Sequence, residues 1–196
     1  MVAVKVCGLT RIEDADLAIQ LGAAAIGIVL EPSSPRCVAP DADILRWLPG
    51  VTGVRRTAVF GPCQGRDVPG GFDAVQAIDV TSWPGREAKW LALREGRELA
   101  FPSGLAGVVV DAFDASAYGG TGRRVDEQFW WMVRETWHGP LWLAGGLDPD
   151  NVADLVERLR PDGVDISSGL EADVPGLKDH AKMRAFFAAL VEGPSF

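Results

Sequence analysis

The sequence predicts an α/β chain closed into a (β/α)8 TIM barrel, on three observations. Short apolar runs rich in Val, Ile, Leu and Ala alternate with stretches of helical period, the pattern of repeated βα units feeding a parallel sheet. Eight such runs fit within 196 residues, which favours a closed barrel over an open doubly wound sheet. The Gly-x-Gly-x-x-Gly turn of a dinucleotide-binding open sheet is absent.

In chain order, Val2 to Cys7 forms strand one, and Thr10 with Glu13 makes a capping box for a helix that runs to Leu21 and is closed by Gly22. Strand two is Ala25 to Leu30. After the loop EPSSPRCVAP a helix from Asp41 to Leu48 stops at Pro49 and Gly50, and Arg56 to Phe60 is strand three. Between Phe60 and Asp111, Gly and Pro are dense and two strands stand out, Ala74 to Ile78 and Trp90 to Leu93. Crossovers of about a dozen residues are near the minimum for a parallel connection, so helices are expected to be shortened or missing over about residues 61-106. Strand six is Gly107 to Asp111, followed by a helix from Asp126 to Thr136 and strand seven at Leu141 to Ala144. Asp148 and Pro149 read as the N-cap and first-turn pair of a helix to Leu159. Val164 to Ile166 is strand eight, and a last helix spans Ala181 to Val191.

A hydrophobic content of 47% fills one core, so residues 1-196 are expected to form a single barrel domain. The net charge of -8 argues against nucleic acid or an anionic membrane as partner, because both select a basic face. Cys7, Cys37 and Cys63 are odd in number and widely spaced, as suits reduced thiols; they share no ligand spacing with His138 or His180. No metal and no cofactor are therefore expected. The N-terminus MVAVKVCGLT lacks the form of a secretory leader, and the expected compartment is the cytoplasm. The seven tryptophans are expected to cover the barrel wall where helices are short, leaving a monomer, with a homodimer as the alternative.

Functional groups of a βα-barrel sit at the C-terminal ends of its strands. Cys7 ends strand one and Asp111 ends strand six, so a thiol and a carboxylate face one another across the mouth as a base and acid pair. A neighbouring cation would bring the thiol into a useful range. The competing readings are packing for Cys7 and a cap for Asp111. Gly145 and Gly146 follow strand seven, and Ser167, Ser168 and Gly169 follow strand eight, where this fold builds phosphate sites from backbone amides; the alternative is tight turns. Amides would also let an acidic protein hold an anion. Arg36, in the loop after strand two, is a planar fork suited to a carboxylate, against the alternative of a solvated loop arginine. Lys5 shares the inward face of strand one with Cys7, and barrel closure is expected to pair it with Asp165 below the site.

KVCGLTR at 5 to 11, EPSSPRCV at 31 to 38, VVVDAF at 108 to 113, YGGTG at 118 to 122, LAGGLDPDNV at 143 to 152, and GVDISSGLE followed by PGLKD resemble phosphoribosylanthranilate isomerases of tryptophan biosynthesis. The resemblance covers the first 60 or so residues and everything after about residue 105. It implies a cofactor-free Amadori rearrangement of a small phosphorylated substrate. Cys7 would remove the sugar C2 proton and Asp111 would protonate the ring oxygen. Arg36, Gly119, Gly120 and Asp165 would contact the substrate, with the 118 to 122 loop closing over it. Gly145, Gly146, Ser167, Ser168 and Gly169 would hold the phosphate. The middle departs from the family: where a VQLHG-like motif is usual, VQAIDV stands at 75 to 80, without the histidine. That erosion motivates a second reading, a catalytically inactive or divergent phosphosugar-binding barrel.

Overall fold

In the computed structural model, which describes residues 2–62, 68–94, 96, 99–111 and 126–191, all eight strands pair in parallel and close the ring β1 to β8. The strands are β1 (Ala3–Val6), β2 (Ala25–Val29), β3 (Arg55–Val59), β4 (Ala74–Ala77), β5 (Ala88–Arg94), β6 (Leu105–Asp111), β7 (Leu141–Ala144) and β8 (Gly163–Ile166). The helices are α1 (Ile12–Gln20), α2 (Asp43–Trp47), α3 (Glu127–Thr136), α4 (Val152–Leu159) and α5 (His180–Val191). Closure sets Lys5 opposite Asp165 in the register of β1 with β8.

Among the described residues no helix lies between β3 and β6. The wall there is nevertheless dry: Val75, Ala77, Leu91, Leu93 and Val108 are buried under Phe72, Trp83, Val68, Leu99 and Phe101, which come from loops. Two ring contacts, Phe60 with Trp83 at 6.4 Å and Phe101 with Trp137 at 5.2 Å, do part of the work of the missing helices. Trp83 and Trp137 thus match the expected covering role, but Trp90 and Trp142 do not. They point into the barrel and pack edge to face at 5.1 Å, with Ala25, Ala74 and Val109 around them. Gly107 and Gly163 make the room, since a Cβ on either would collide with an indole ring. The β5–β6 register slips between Lys89 and Trp90, beside that same Gly107. Arg55 caps the floor, its guanidinium 5.2 Å from the Trp90 ring.

Two helix starts differ from expectation. Thr10 makes no capping box; its Oγ1 donates to the Gly176 carbonyl at 2.8 Å, the N-cap is Arg11, and no side chain caps the helix. A tertiary partner has displaced the local one. Asp148 does not open α4 either. Its Oδ1 accepts from the amides of Asp150 and Asn151, both at 2.9 Å, in a turn that precedes the helix, whose N-cap is Asn151. The helix expected from Asp126 starts at Glu127, with Asp126 as its N-cap accepting from the Gln128 amide at 2.8 Å.

Candidate active site

At the C-terminal mouth a cleft open to solvent is lined by both Cys7 and Asp111. They arrive on β1 and β6, with β7 and β8 between them along the ring. Arg36, Gly145, Gly146, Asp165, Ser167 and Ser168 line the same cleft. Cys63, Gly119, Gly120 and the rest of the 118 to 122 loop lie outside the described residues.

Cys7 sits one residue beyond β1, its amide donating to the Ile166 carbonyl at 2.8 Å. Below it Lys5 Nζ donates to Asp165 Oδ2 at 2.7 Å, and Gln76 Nε2 donates to the same oxygen at 3.0 Å. The expected Lys5–Asp165 pair is therefore present, with Gln76 as a third member. Gly27 on β2 gives this layer its space, because a Cβ there would stand 2.9 Å from both Cys7 Sγ and Lys5 Cε. One expectation fails. Burial pushes the Cys7 thiol above its ordinary value, although Lys5 pulls it down, since Asp165 opposes that pull. The cation beside the thiol is largely spent on a carboxylate. Asp165 Oδ1 makes no hydrogen bond among the described residues, although it is buried at the wall of the cleft.

Arg36 is not an open fork. Its Nε and Nη2 donate to Glu171 Oε1 and Oε2 at 2.6 and 2.7 Å, a bidentate pair buried at 8% and 6% exposure. Lys178 Nζ donates to the same Oε1 at 3.2 Å and to the Ser167 carbonyl at 3.0 Å. Neither Glu171 nor Lys178 stands out as a site residue from sequence, although both lie in the C-terminal motifs. A carboxylate two residues past the Ser-Ser-Gly turn was the available signal.

The two glycine loops are shaped by backbone need. Gly145 and Gly146 hold φ of 84° and 63°, the left-handed region that disfavours side chains. Asn151 Nδ2 clamps the Gly146 carbonyl at 2.8 Å. Gly169 departs from its expected role: it does not line the cleft, and a Cβ on it would run into the Leu147 carbonyl. It lets the β7 and β8 loops pack together. Opposite them Phe60, Ile78, Ala92 and Val59 give an apolar wall, with Ile78 in the stretch where the family motif carries histidine, and Arg94 beside them at the end of β5.

The profile of the N-(5'-phosphoribosyl)anthranilate isomerase family matches residues 98–189. An N-(5'-phosphoribosyl)anthranilate isomerase of Pseudomonas fluorescens is 38% identical over 95% of this chain and 97% of its own. The chain belongs to the N-(5'-phosphoribosyl)anthranilate isomerase family. Phosphoribosyl anthranilate isomerase from Thermus thermophilus superposes with a TM-score of 0.80 at 30% identity, covering 97% of this chain and 98% of that one. Another family structure, with a TM-score of 0.74, 29% identity and coverage of 97% and 99%, is described in complex with reduced 1-(o-carboxyphenylamino)-1-deoxyribulose 5-phosphate. All three match along nearly their whole length, so the shortened middle of this chain leaves the shared architecture intact.

Proposed function

We propose that Cys7 is the general base and Asp111 the general acid with which this chain performs its family's reaction. That reaction is the Amadori rearrangement of N-(5-phosphoribosyl)anthranilate to 1-(2-carboxyphenylamino)-1-deoxyribulose 5-phosphate, a step of tryptophan biosynthesis. The supporting observation is that a thiol and a carboxylate line one cleft whose rim also carries two loops rich in main-chain N–H groups.

In this reading Asp111 gives a proton to the furanose ring oxygen, the C1–O bond breaks, and a cationic Schiff base forms. Cys7, as thiolate, takes the C2 proton; the C2–H electron pair becomes the enolamine double bond, and tautomerisation yields the ketose. Burial opposes thiolate before substrate binds, whereas the iminium charge next to C2 favours it when it is needed. The Gly145–Gly146 loop with Ser167 and Ser168 receives the phosphate, and Gly169 supports those loops. Asp165 Oδ1 accepts from a sugar hydroxyl, while Gly119 and Gly120 belong to the closing loop. Arg36 holds the anthranilate carboxylate through donors not taken by Glu171, and the apolar wall at Phe60 and Ile78 takes the ring. No step calls for a metal or organic cofactor.

We take residues 1-196 as one domain, acting as a monomer in the cytoplasm; Cys7, Asp111, Arg36, Gly145, Gly146, Ser167 and Ser168 of a single chain line the cleft. Among the described residues no helix is long and apolar enough to cross a membrane.

The decisive experiment is genetic. A strain lacking this isomerase should grow without tryptophan when it carries the wild-type gene; failure of a well-expressed protein to rescue would favour a barrel that only binds phosphosugars. For Arg36→Ala, steady-state kinetics should show KM rising about 10- to 100-fold, the weight of a lost charge-assisted hydrogen bond, with a smaller change in kcat. An unchanged KM would remove the carboxylate contact.

A further inference from the structure

The proposed roles leave one buried cluster unused: Glu171, Lys178 and the inner edge of Arg36. Glu171 Oε1 accepts from Arg36 Nε, Lys178 Nζ and the Gly176 amide, at 2.6, 3.2 and 3.0 Å, while Oε2 accepts from Arg36 Nη2. The carboxylate is thus held by four hydrogen bonds. The stem of Arg36 is pinned as well, for Gly8 lies so close that a Cβ would be 2.7 Å from Arg36 Cδ and 2.8 Å from Ser167 Oγ. Lys178, at 3% exposure, ties the cluster to the Ser167 carbonyl at 3.0 Å.

This arrangement has two physical consequences. A guanidinium carries five N–H donors, and Glu171 takes one from Nε and one from Nη2, which leaves Nη1 and the outer hydrogen of Nη2 for a ligand. Two cations also face one carboxylate, so the cluster keeps one net positive charge at the cleft of a protein whose formal charge is -8. We infer that Glu171 is a positioning residue of the reaction: with Lys178 it forms a buried bracket that fixes the Arg36 fork and the Ser167 loop at one spacing, so that both anionic ends of the substrate are received together. The Arg36 interaction holds Glu171 below its ordinary carboxylate range despite its burial, in keeping with a charged Arg36–Glu171 pair, while burial pushes Lys178 below its ordinary value against the pull of Glu171. The inference rests on the assignment of Arg36 to the substrate carboxylate.

Charge and position make opposite forecasts for Glu171→Gln. Removing a negative charge raises the net positive charge of the cleft, which by attraction alone would lower KM for an anionic substrate. Loss of the bracket lets the Arg36 fork swing, and KM should rise about 10- to 100-fold with kcat within about threefold. A loss of folded fraction would instead lower kcat and leave KM unchanged. The measurement is a cycle of wild type, Glu171→Gln, Arg36→Ala and the double variant, assayed with freshly made phosphoribosylanthranilate. The KM effect of Glu171→Gln should disappear in the Arg36→Ala background. Should Glu171→Gln fail to fold, Glu171→Asp keeps the charge, withdraws it by one methylene, and should raise KM likewise. An unchanged or lowered KM in the folded variant, or an equal effect with Arg36 absent, overturns the inference. If Arg36→Ala itself binds normally, the carboxylate assignment has failed and takes the bracket with it.

Discussion

Cys7→Ala and Asp111→Asn should each lower kcat by about 10²- to 10⁴-fold, the usual loss when a positioned base or acid is removed. Neither change should disturb folding, since Cys7→Ala removes one sulfur atom and Asp111→Asn is isosteric. Single-turnover rates with circular dichroism as a control would test both, and wild-type turnover in either variant would end its assigned role. The wild-type pH profile carries a further expectation. Because burial raises the thiol, the fraction of Cys7 ready to act as a base in the free enzyme keeps growing as pH passes the ordinary thiol range. kcat/KM follows the product of thiolate Cys7 and protonated Asp111, so its alkaline fall should lie above the ordinary thiol range. A fall that sets in at or below the ordinary thiol range would mean that the base is a different group.

Lys5→Met should destabilise the fold by about 3–5 kcal/mol, because it leaves the Asp165 carboxylate buried beneath the cleft without its cation. Gln76 at 3.0 Å softens the loss without cancelling charge. Urea denaturation should show it, and Lys5→Met combined with Asp165→Asn should regain much of the stability, since no uncompensated charge then remains. The same substitution removes the pull that Lys5 exerts on Cys7, so the alkaline limb of the activity profile should move to higher pH. Unchanged stability together with an unchanged profile would show the pair to be dispensable.

Sequence reasoning reaches the strands well, because each βα unit carries its own periodicity and turn residues. Lys5 with Asp165 is legible for the same reason: inward alternation on two strands plus ring closure leaves little choice of partner. What escapes depends on distant chain segments. Thr10 turns from its helix to the Gly176 carbonyl, and Arg36 to Glu171, 135 positions away. Trp90 and Trp142 defy the expected covering role because their inward packing depends on Gly107 and Gly163, glycines that look like ordinary turn or strand-end residues in one dimension. The raised thiol escapes too, since residue order reveals the nearby lysine but not that a carboxylate has already claimed it.

The helix-poor stretch from β3 to β6 bears on how the enzyme should fail. Strands β4 and β5 are sheathed by loop aromatics, whereas β7, β8 and β1 lean on α3, α4, α5 and α1. Protection against amide exchange should therefore be uneven, with the thin flank opening at a lower free energy than the rest. The proposed proton donor Asp111 rides at the margin of that flank and the proposed acceptor Cys7 on the sturdy side, so warming should part the two before the molecule melts. Activity should then vanish some degrees below the loss of far-ultraviolet ellipticity, and coincident curves would mean that the sheath of rings is as firm as a layer of helices.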